Sequence, residues 1–279
     1  MSTTQSRTRA LALLCLAWAP AAGAAEIPYR EAWGYAVVVP VHVQDLGPFD
    51  FLLATGTDVT VVHQDLARRI GLVPTSRVEV KSVVGSRLVP QASVTALSVG
   101  PVPLGPMDAL LHDMSAARGE DGLLRGILGQ NALHGVSFTI DNVRRRVIVG
   151  EAAAEVDAVA GTDGEGRPTI EARLGCAGEP LRLTLDSGVE GIILFEGAKR
   201  LPIGLPGRVT ARTNLGTAAL RAGRLEALCV GPARLVDVPV AVQEREAVGA
   251  PRTDGLLPTR LFARVHFDAQ RKEVRVEPW

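Results

Sequence analysis

A chain of 279 residues with 30 Lys plus Arg against 30 Asp plus Glu carries no net charge at neutral pH. That balance leaves no basic surplus for nucleic acid or an anionic membrane surface, and neither is expected as a partner. The length suffices for two domains with substantial cores.

Residues 1–25 read as a secretory signal peptide. Arg7 and Arg9 precede the apolar stretch Ala10 to Ala19, which ends at Pro20 and the small residues Ala21-Ala22-Gly23-Ala24-Ala25, a basic start, a short apolar core and an A-x-A-like end. The stretch is shorter than the roughly 20 residues that span a bilayer, although an uncleaved anchor is the alternative. Leu14 before Cys15 does not suit a lipoprotein cleavage site. The expectation is an exported protein, periplasmic or secreted, with no membrane attachment after cleavage.

Strand signals then dominate. Tyr35 to Val43, Val78 to Val84, Ser93 to Val99, Val136 to Ile140 and Arg146 to Val149 are short, rich in branched residues and separated by Gly, Pro and Asn/Asp turns. Gln64 to Ile70 has helical character and closes on Gly71. Leu124 to Leu133 is a weaker helical segment. From Gly150 to Arg167 small residues, acids and glycines follow one another without an apolar period, which predicts an exposed connector. Strand texture returns in Thr169 to Leu174, Leu181 to Leu185, Arg208 to Thr213, Ala218 to Val230, Val236 to Val242 and Val274 to Val276, with Pro258 to Phe262 a second weak helical piece. Cys176 and Cys229, which alone remain after processing, suit either one disulfide or two buried thiols.

The two sides of the connector repeat one another. Phe51-Leu52-Leu53-Ala54-Thr55-Gly56-Thr57-Asp58 returns as Leu183-Thr184-Leu185-Asp186-Ser187-Gly188-Val189-Glu190. Leu66 to Leu72 answers Phe195 to Leu201, Ala96 to Gly100 answers Leu228 to Gly231, and Gly126-Ile127-Leu128-Gly129 answers Gly255-Leu256-Leu257-Pro258. Each side ends in a strand, an aspartate turn and a strand: Phe138 to Asp141 with Val147 to Val149, then Val265 to Asp268 with Val274 to Val276. Five landmarks in one order indicate internal duplication. The predicted organisation is a first lobe over 26–150, a connector over 151–167 and a second lobe over 168–279.

These residues resemble the retropepsin-like aspartic peptidases, in the bacterial exported form with two lobes in one chain. Asp186-Ser187-Gly188 fits the family's Asp-Thr/Ser-Gly turn fully, and Ala54-Thr55-Gly56 fits all but the acid. Ile127-Leu128-Gly129 fits the later apolar-apolar-Gly element, from which Leu256-Leu257-Pro258 departs in its last residue. The resemblance implies an all-β fold of two similar acid-protease lobes with a cleft between them and few short helices. It implies a catalytic role for Asp186, with Ala54 where the second Asp is missing, and supporting roles for Thr55, Gly56, Ser187 and Gly188. Asp58 and Glu190 would lie near the cleft ends close to substrate backbone; a solvated surface position is the plainer reading of both. The family's flaps fall on Val78 to Leu88, with Gly85 near its tip, and on Arg208 to Leu220, tipped by Asn214 and Gly216. Plain surface hairpins would use the same turn residues.

The implied chemistry is peptide hydrolysis. Two close carboxylates share one proton, since like charges a few ångströms apart cannot both ionise. The ionised member is base to a water and the protonated member is acid to the amide. Ala54 removes half of that pair. The expected function is an impaired aspartic endopeptidase homologue acting on peptides or proteins outside the cytoplasm; the alternative is a non-catalytic peptide- or protein-binding pseudopeptidase. Asp58 reaching the site, two chains pairing their second lobes in a homodimer, or an engineered Ala54 are further ways to account for the missing acid. No cofactor or metal is expected, because His42, His63, His112, His134 and His266 are scattered without ligand spacing.

Overall fold

A computed structural model describes residues 24–82, 85–115, 118–119, 122–150, 160–163, 166–196, 204–213, 216–244 and 253–279. Residues 1–23 of the predicted signal segment, residues 151–159 of the predicted connector, and positions 83–84 and 214–215 lie outside them. Among the described residues the protein is nearly all β, with two short α-helices, Gln64–Arg69 and Gln130–Leu133, and a 3-10 turn, Thr259–Leu261. No described helix is long and apolar enough to cross a membrane.

The order of strands across the sheets repeats. In the first half the neighbours run Ser76–Ser82, Gly85–Val94, Met107–His112, Val61–His63, Gly126–Leu128, Leu46–Leu53, Ala36–Val43 and Leu97–Val99. In the second they run Gly207–Thr213, Gly216–Val230, Ala233–Glu244, Ile192–Glu196, Gly255–Pro258, Pro180–Asp186 and Pro168–Leu174, whose far edge pairs back onto the end of Gly216–Val230. The sense of pairing matches as well. Gly126–Leu128 is parallel to Leu46–Leu53 and antiparallel to Val61–His63. Gly255–Pro258 is parallel to Pro180–Asp186 and antiparallel to Ile192–Glu196. The apolar ends of the two turn-bearing strands are therefore paired on both sides. Phe51, Leu52 and Leu53, like Leu183 and Leu185, are buried outright, as continuous apolar runs between flanking strands should be.

The halves meet on a shared set of strands. Phe138–Asp141 pairs antiparallel with its own counterpart, Arg264–Asp268, so that Phe138 faces Phe267 and Ile140 faces Val265. Equivalent strands running antiparallel across a common line is what a two-fold relation generates. The stacked rings of Phe138 and Phe267, with centroids 4.5 Å apart, seal that line. Ala25–Pro28 and Arg146–Val149 extend the seam on one side, and Glu273–Glu277 and Ala160–Thr162 on the other.

Three expectations are corrected. Leu124 to Leu133 is not one helix. Gly126–Leu128 is a strand and only Gln130–Leu133 is helical, because Ile127 and Leu128 pair with Leu52 and Leu53 and Gly126 lies against the Phe51 ring, where any Cβ would fall 2.0 Å from a ring carbon. Ser93 to Val99 divides into Gly85–Val94 and Leu97–Val99, which pair with different strands. The connector is not exposed throughout. Ala160–Thr162 is paired on both sides, and Asp163 and Arg167 are buried against each other. The helix Gln64–Arg69 forms as expected, followed by Gly71 at φ +71°. His63 caps it by accepting the Asp65 N–H at Nδ1, though from a fully buried position.

The two cysteines are joined. Cys176 and Cys229 form a disulfide, brought together because Arg173 pairs with Cys229 along neighbouring strands. In the first lobe the equivalent hairpin end is tied by main-chain contacts, among them Gln44 N–H to Ala96 O at 3.0 Å.

Candidate active site

Strand Leu46–Leu53 delivers the turn that starts at Ala54, and Pro180–Asp186 delivers the turn at Ser187. The two turns interlock. Thr55 Oγ1 donates to Leu185 O at 2.7 Å and accepts the Ser187 N–H at 3.1 Å. Ser187 Oγ donates to Leu53 O at 2.6 Å and accepts the Thr55 N–H at 3.2 Å. Each hydroxyl thus gives its proton to the opposite lobe and takes an amide proton from it. Both are buried, and their protons are committed to carbonyls. Neither is available as a nucleophile; they act as fasteners.

The grip sets Asp186 against the first lobe. Asp186 is 7% exposed, and its carboxyl accepts the Gly188 N–H at 2.7 Å, together with the Gly56 N–H from across the seam. Burial pushes its pKa above the ordinary aspartate value, and the two amide donors partly oppose that rise. The glycines are there for space, since neither has a positive φ. A Cβ on Gly56 would sit 2.5 Å from Asp186 Oδ2 and 2.6 Å from Cγ. The other lobe's carboxyl occupies the place a side chain would take.

Ala54 stands at the equivalent point of the first turn. Its N–H donates to Leu128 O at 3.0 Å, and its methyl is buried. It belongs to a small apolar cluster with Leu52, Val61, Val89, Leu110 and Ile127, against which Tyr35, Val78 and Val80 pack. Val78, Val80 and Val89 come from the Ser76–Ser82/Gly85–Val94 hairpin, so the first flap candidate does rest on the Ala54 side of the site. The hairpin Gly207–Thr213/Gly216–Val230 holds the matching position in the second lobe. Gly85 and Gly216 open the return strands of the two hairpins, and Asn214 lies outside the described residues.

The outer acids diverge. The Asp58 carboxylate is half exposed and lies 3.4 Å from Arg167 Nε, whose guanidinium is also bonded to buried Asp163 at 2.8 Å. It points to that pair and not to the Asp186 carboxyl. Glu190 is exposed, and its carbonyl accepts Arg260 Nε at 2.8 Å. Tyr35, from the first lobe, senses both Glu190 and Asp186. Burial first, then those two negative charges, push its phenol pKa up.

Arg167, Tyr35 and Gln130, whose Nε2 donates to Thr55 O, were not foreseen from sequence. For Tyr35 and Arg167 a signal existed. Each directly precedes the first long strand of its lobe, Ala36–Val43 and Pro168–Leu174, so duplication predicts corresponding places beside the opposite turn.

Residues 39–132, which contain the Ala54 turn and Ile127-Leu128-Gly129, match the "Aspartyl protease" family model. Among solved structures, a retropepsin-like aspartic protease from Rickettsia conorii aligns at 16% identity and TM-score 0.33, covering 47% of this chain and 94% of that one. No curated protein matches significantly. The likeness to the aspartyl protease family thus spans residues 39–132, about a third of the chain.

Proposed function

We propose that this protein is an exported aspartic-peptidase homologue that takes a peptide across the facing turns and retains one carboxyl, Asp186, of the acid–base pair. The observation that carries this reading is the reciprocal Thr55–Ser187 grip, which seats Asp186 against Gly56 and opposite Ala54.

In a complete pair, the ionised carboxylate takes a proton from water as the oxygen attacks the scissile carbonyl, and the protonated partner gives its proton to the carbonyl oxygen. Collapse of the resulting diol breaks the C–N bond, and the departing nitrogen takes up a proton from the pair. With Ala54 in place, Asp186 has to serve in both roles. Each positioned acid or base is worth about 10²–10⁴-fold in rate, and members of a mutually dependent set fail together. Slow or absent turnover with retained peptide binding follows. The apolar surroundings of Ala54, formed by Leu52, Val61, Val89, Leu110 and Ile127, favour the second reading, a binding protein without catalysis.

A homodimer that paired Asp186 with its mate would have to displace Thr55 from Ser187, which argues for the single chain as the working unit. Export is supported by the Cys176–Cys229 disulfide, a bond that persists in oxidising compartments.

The test is incubation of the mature protein with a mixed peptide library between pH 4 and 7. Cleavage that disappears in Asp186→Ala establishes the peptidase, and saturable peptide binding without cleavage establishes the binder. Neither binding nor cleavage by a folded protein would remove both readings.

A further inference from the structure

The two lobes set different residues beside the opposite turn. Arg167 directly precedes Pro168–Leu174, and its Nε lies 3.4 Å from the carboxylate of Asp58, which follows Ala54 in the repeat as Glu190 follows Asp186. Tyr35 directly precedes Ala36–Val43 and packs against the cluster that holds Ala54. Burial first, then the charges of Glu190 and Asp186, push its pKa up, with Arg260 opposing them. On one side an acid meets a guanidinium, and at the matching place it meets a phenol that keeps its proton. The Glu190 side is left with charge. Glu190 is exposed, and its carboxylate makes no ion pair among the described residues. Arg260 spends its Nε on the Glu190 carbonyl.

The same side carries exposed aromatic surface. The Trp33 ring lies 5.9 Å from the Tyr35 ring between centroids, and Trp33 is 37% exposed. Trp33 has φ +54° and Gly34 φ +73°, in a turn closed by the Tyr35 N–H to Ala32 O at 3.2 Å. Hairpin turns of this hand favour Asn or Asp before the glycine, so local preference does not account for a tryptophan there. Trp279, also exposed, donates Nε1 to Arg260 O at 3.2 Å. Apart from Trp18 in the predicted signal segment, both tryptophans of the chain are thus linked to Glu190, one through Tyr35 and one through Arg260.

We infer that Trp33, Tyr35 and Glu190 form a subsite for a cationic group of the bound peptide, a lysine or arginine side chain or a free amino terminus. This deepens the proposed function and rests on it. The Glu190 carboxylate supplies the counter-charge, and the aromatic faces attract the cation through their quadrupole. At the Arg167 side the acid already has its cation, so a basic group gains nothing there, and the peptide is held in one direction. An exposed ion pair and an exposed cation–π contact each give up to about fivefold in affinity, so a preference of about tenfold is expected.

The experiment measures binding of peptide pools, blocked at both ends, to the mature protein by quenching of its tryptophan emission. Each pool fixes lysine at one position, and its twin fixes acetyl-lysine there. Lysine should outbind acetyl-lysine about tenfold at one position. Glu190→Gln should bring the pair to near parity, as should Tyr35→Arg, which gives Glu190 the guanidinium that Asp58 already has. Trp33→Ala should lower the preference about threefold. A gain confined to pools with an unblocked amino terminus assigns the cation to that terminus, and a gain from lysine in blocked pools assigns it to the side chain. No gain from either overturns the subsite while leaving the proposed function standing, and so does a preference that survives in Glu190→Gln. If no peptide binds the folded protein, the proposed function falls, and titration with N-acetyl-lysine amide alone decides the subsite. Saturable quenching that Glu190→Gln abolishes keeps it, and any other result overturns it.

Discussion

Around Ala54 the first lobe is hydrocarbon: Leu52 two residues back along the strand, and Leu124 two residues before Gly126, share one buried cluster with it. At the same places in the second lobe stand Thr184 and Thr253, also buried, with their hydroxyl oxygens 3.0 Å apart. Asp186 thus projects from a polar wall and Ala54 from an apolar one. The outer acids differ too, since Asp58 lies against Arg167 while the Glu190 carbonyl accepts a bond from Arg260. Yet the fastening is symmetrical. Thr55 and Ser187 make the same two-way bonds. The fastening of the two turns is therefore separable from the acid, since an alanine at position 54 leaves the grip intact.

The largest test of that separation puts the acid back. Ala54→Asp should raise peptide hydrolysis by about 10²–10⁴-fold, read as initial rates between pH 4 and 6. A folded variant without any gain would mean that the lobes differ in more than the acid. The next effect belongs to the second lobe alone. Replacing Cys176 and Cys229 together by Ala should cost about 2–4 kcal/mol in denaturant unfolding, with loss of the second lobe's structure first if the lobes unfold separately.

The grip gives a smaller and paired effect. Thr55→Val strands the Ser187 N–H and Leu185 O, and Ser187→Ala strands the Thr55 N–H and Leu53 O. Each should cost about 1–3 kcal/mol, and the two costs should agree; a clear inequality would show that the symmetry is only geometric. The smallest effect is in pH. Because burial raises the Asp186 pKa in the folded state, its protonated form is favoured there. That contribution is complete below the unfolded aspartate value and is lost as pH rises through the folded one. The melting temperature of the native protein relative to Asp186→Ala should therefore improve as the pH falls from 7 to 4. A gap that is flat or moves the other way would mean the carboxyl is held ionised.

Much of this was legible before any coordinates. A strand ending in Asp-Ser-Gly or Ala-Thr-Gly announces a turn in which a hydroxyl and a glycine are needed, and the repeat aligned the two turns. Local signals failed where long-range pairing decides. Ile127 and Leu128 fit a helix as well as a strand until the parallel pairing with Leu52 and Leu53 is known. Cys176 and Cys229 left a disulfide and free thiols equally open, since only the Arg173–Cys229 register brings them together. Arg167 looked like the end of a solvated connector, because only the repeat, and no local pattern, points toward its partners Asp58 and Asp163.

The seam has one more consequence. Phe138–Asp141 and Arg264–Asp268 are paired antiparallel over four successive residue pairs, with aromatic stacking between Phe138 and Phe267, so the union of the halves does not depend on the covalent link between them. Two separately produced polypeptides, 25–150 and 160–279, should find each other and rebuild the native assembly on mixing.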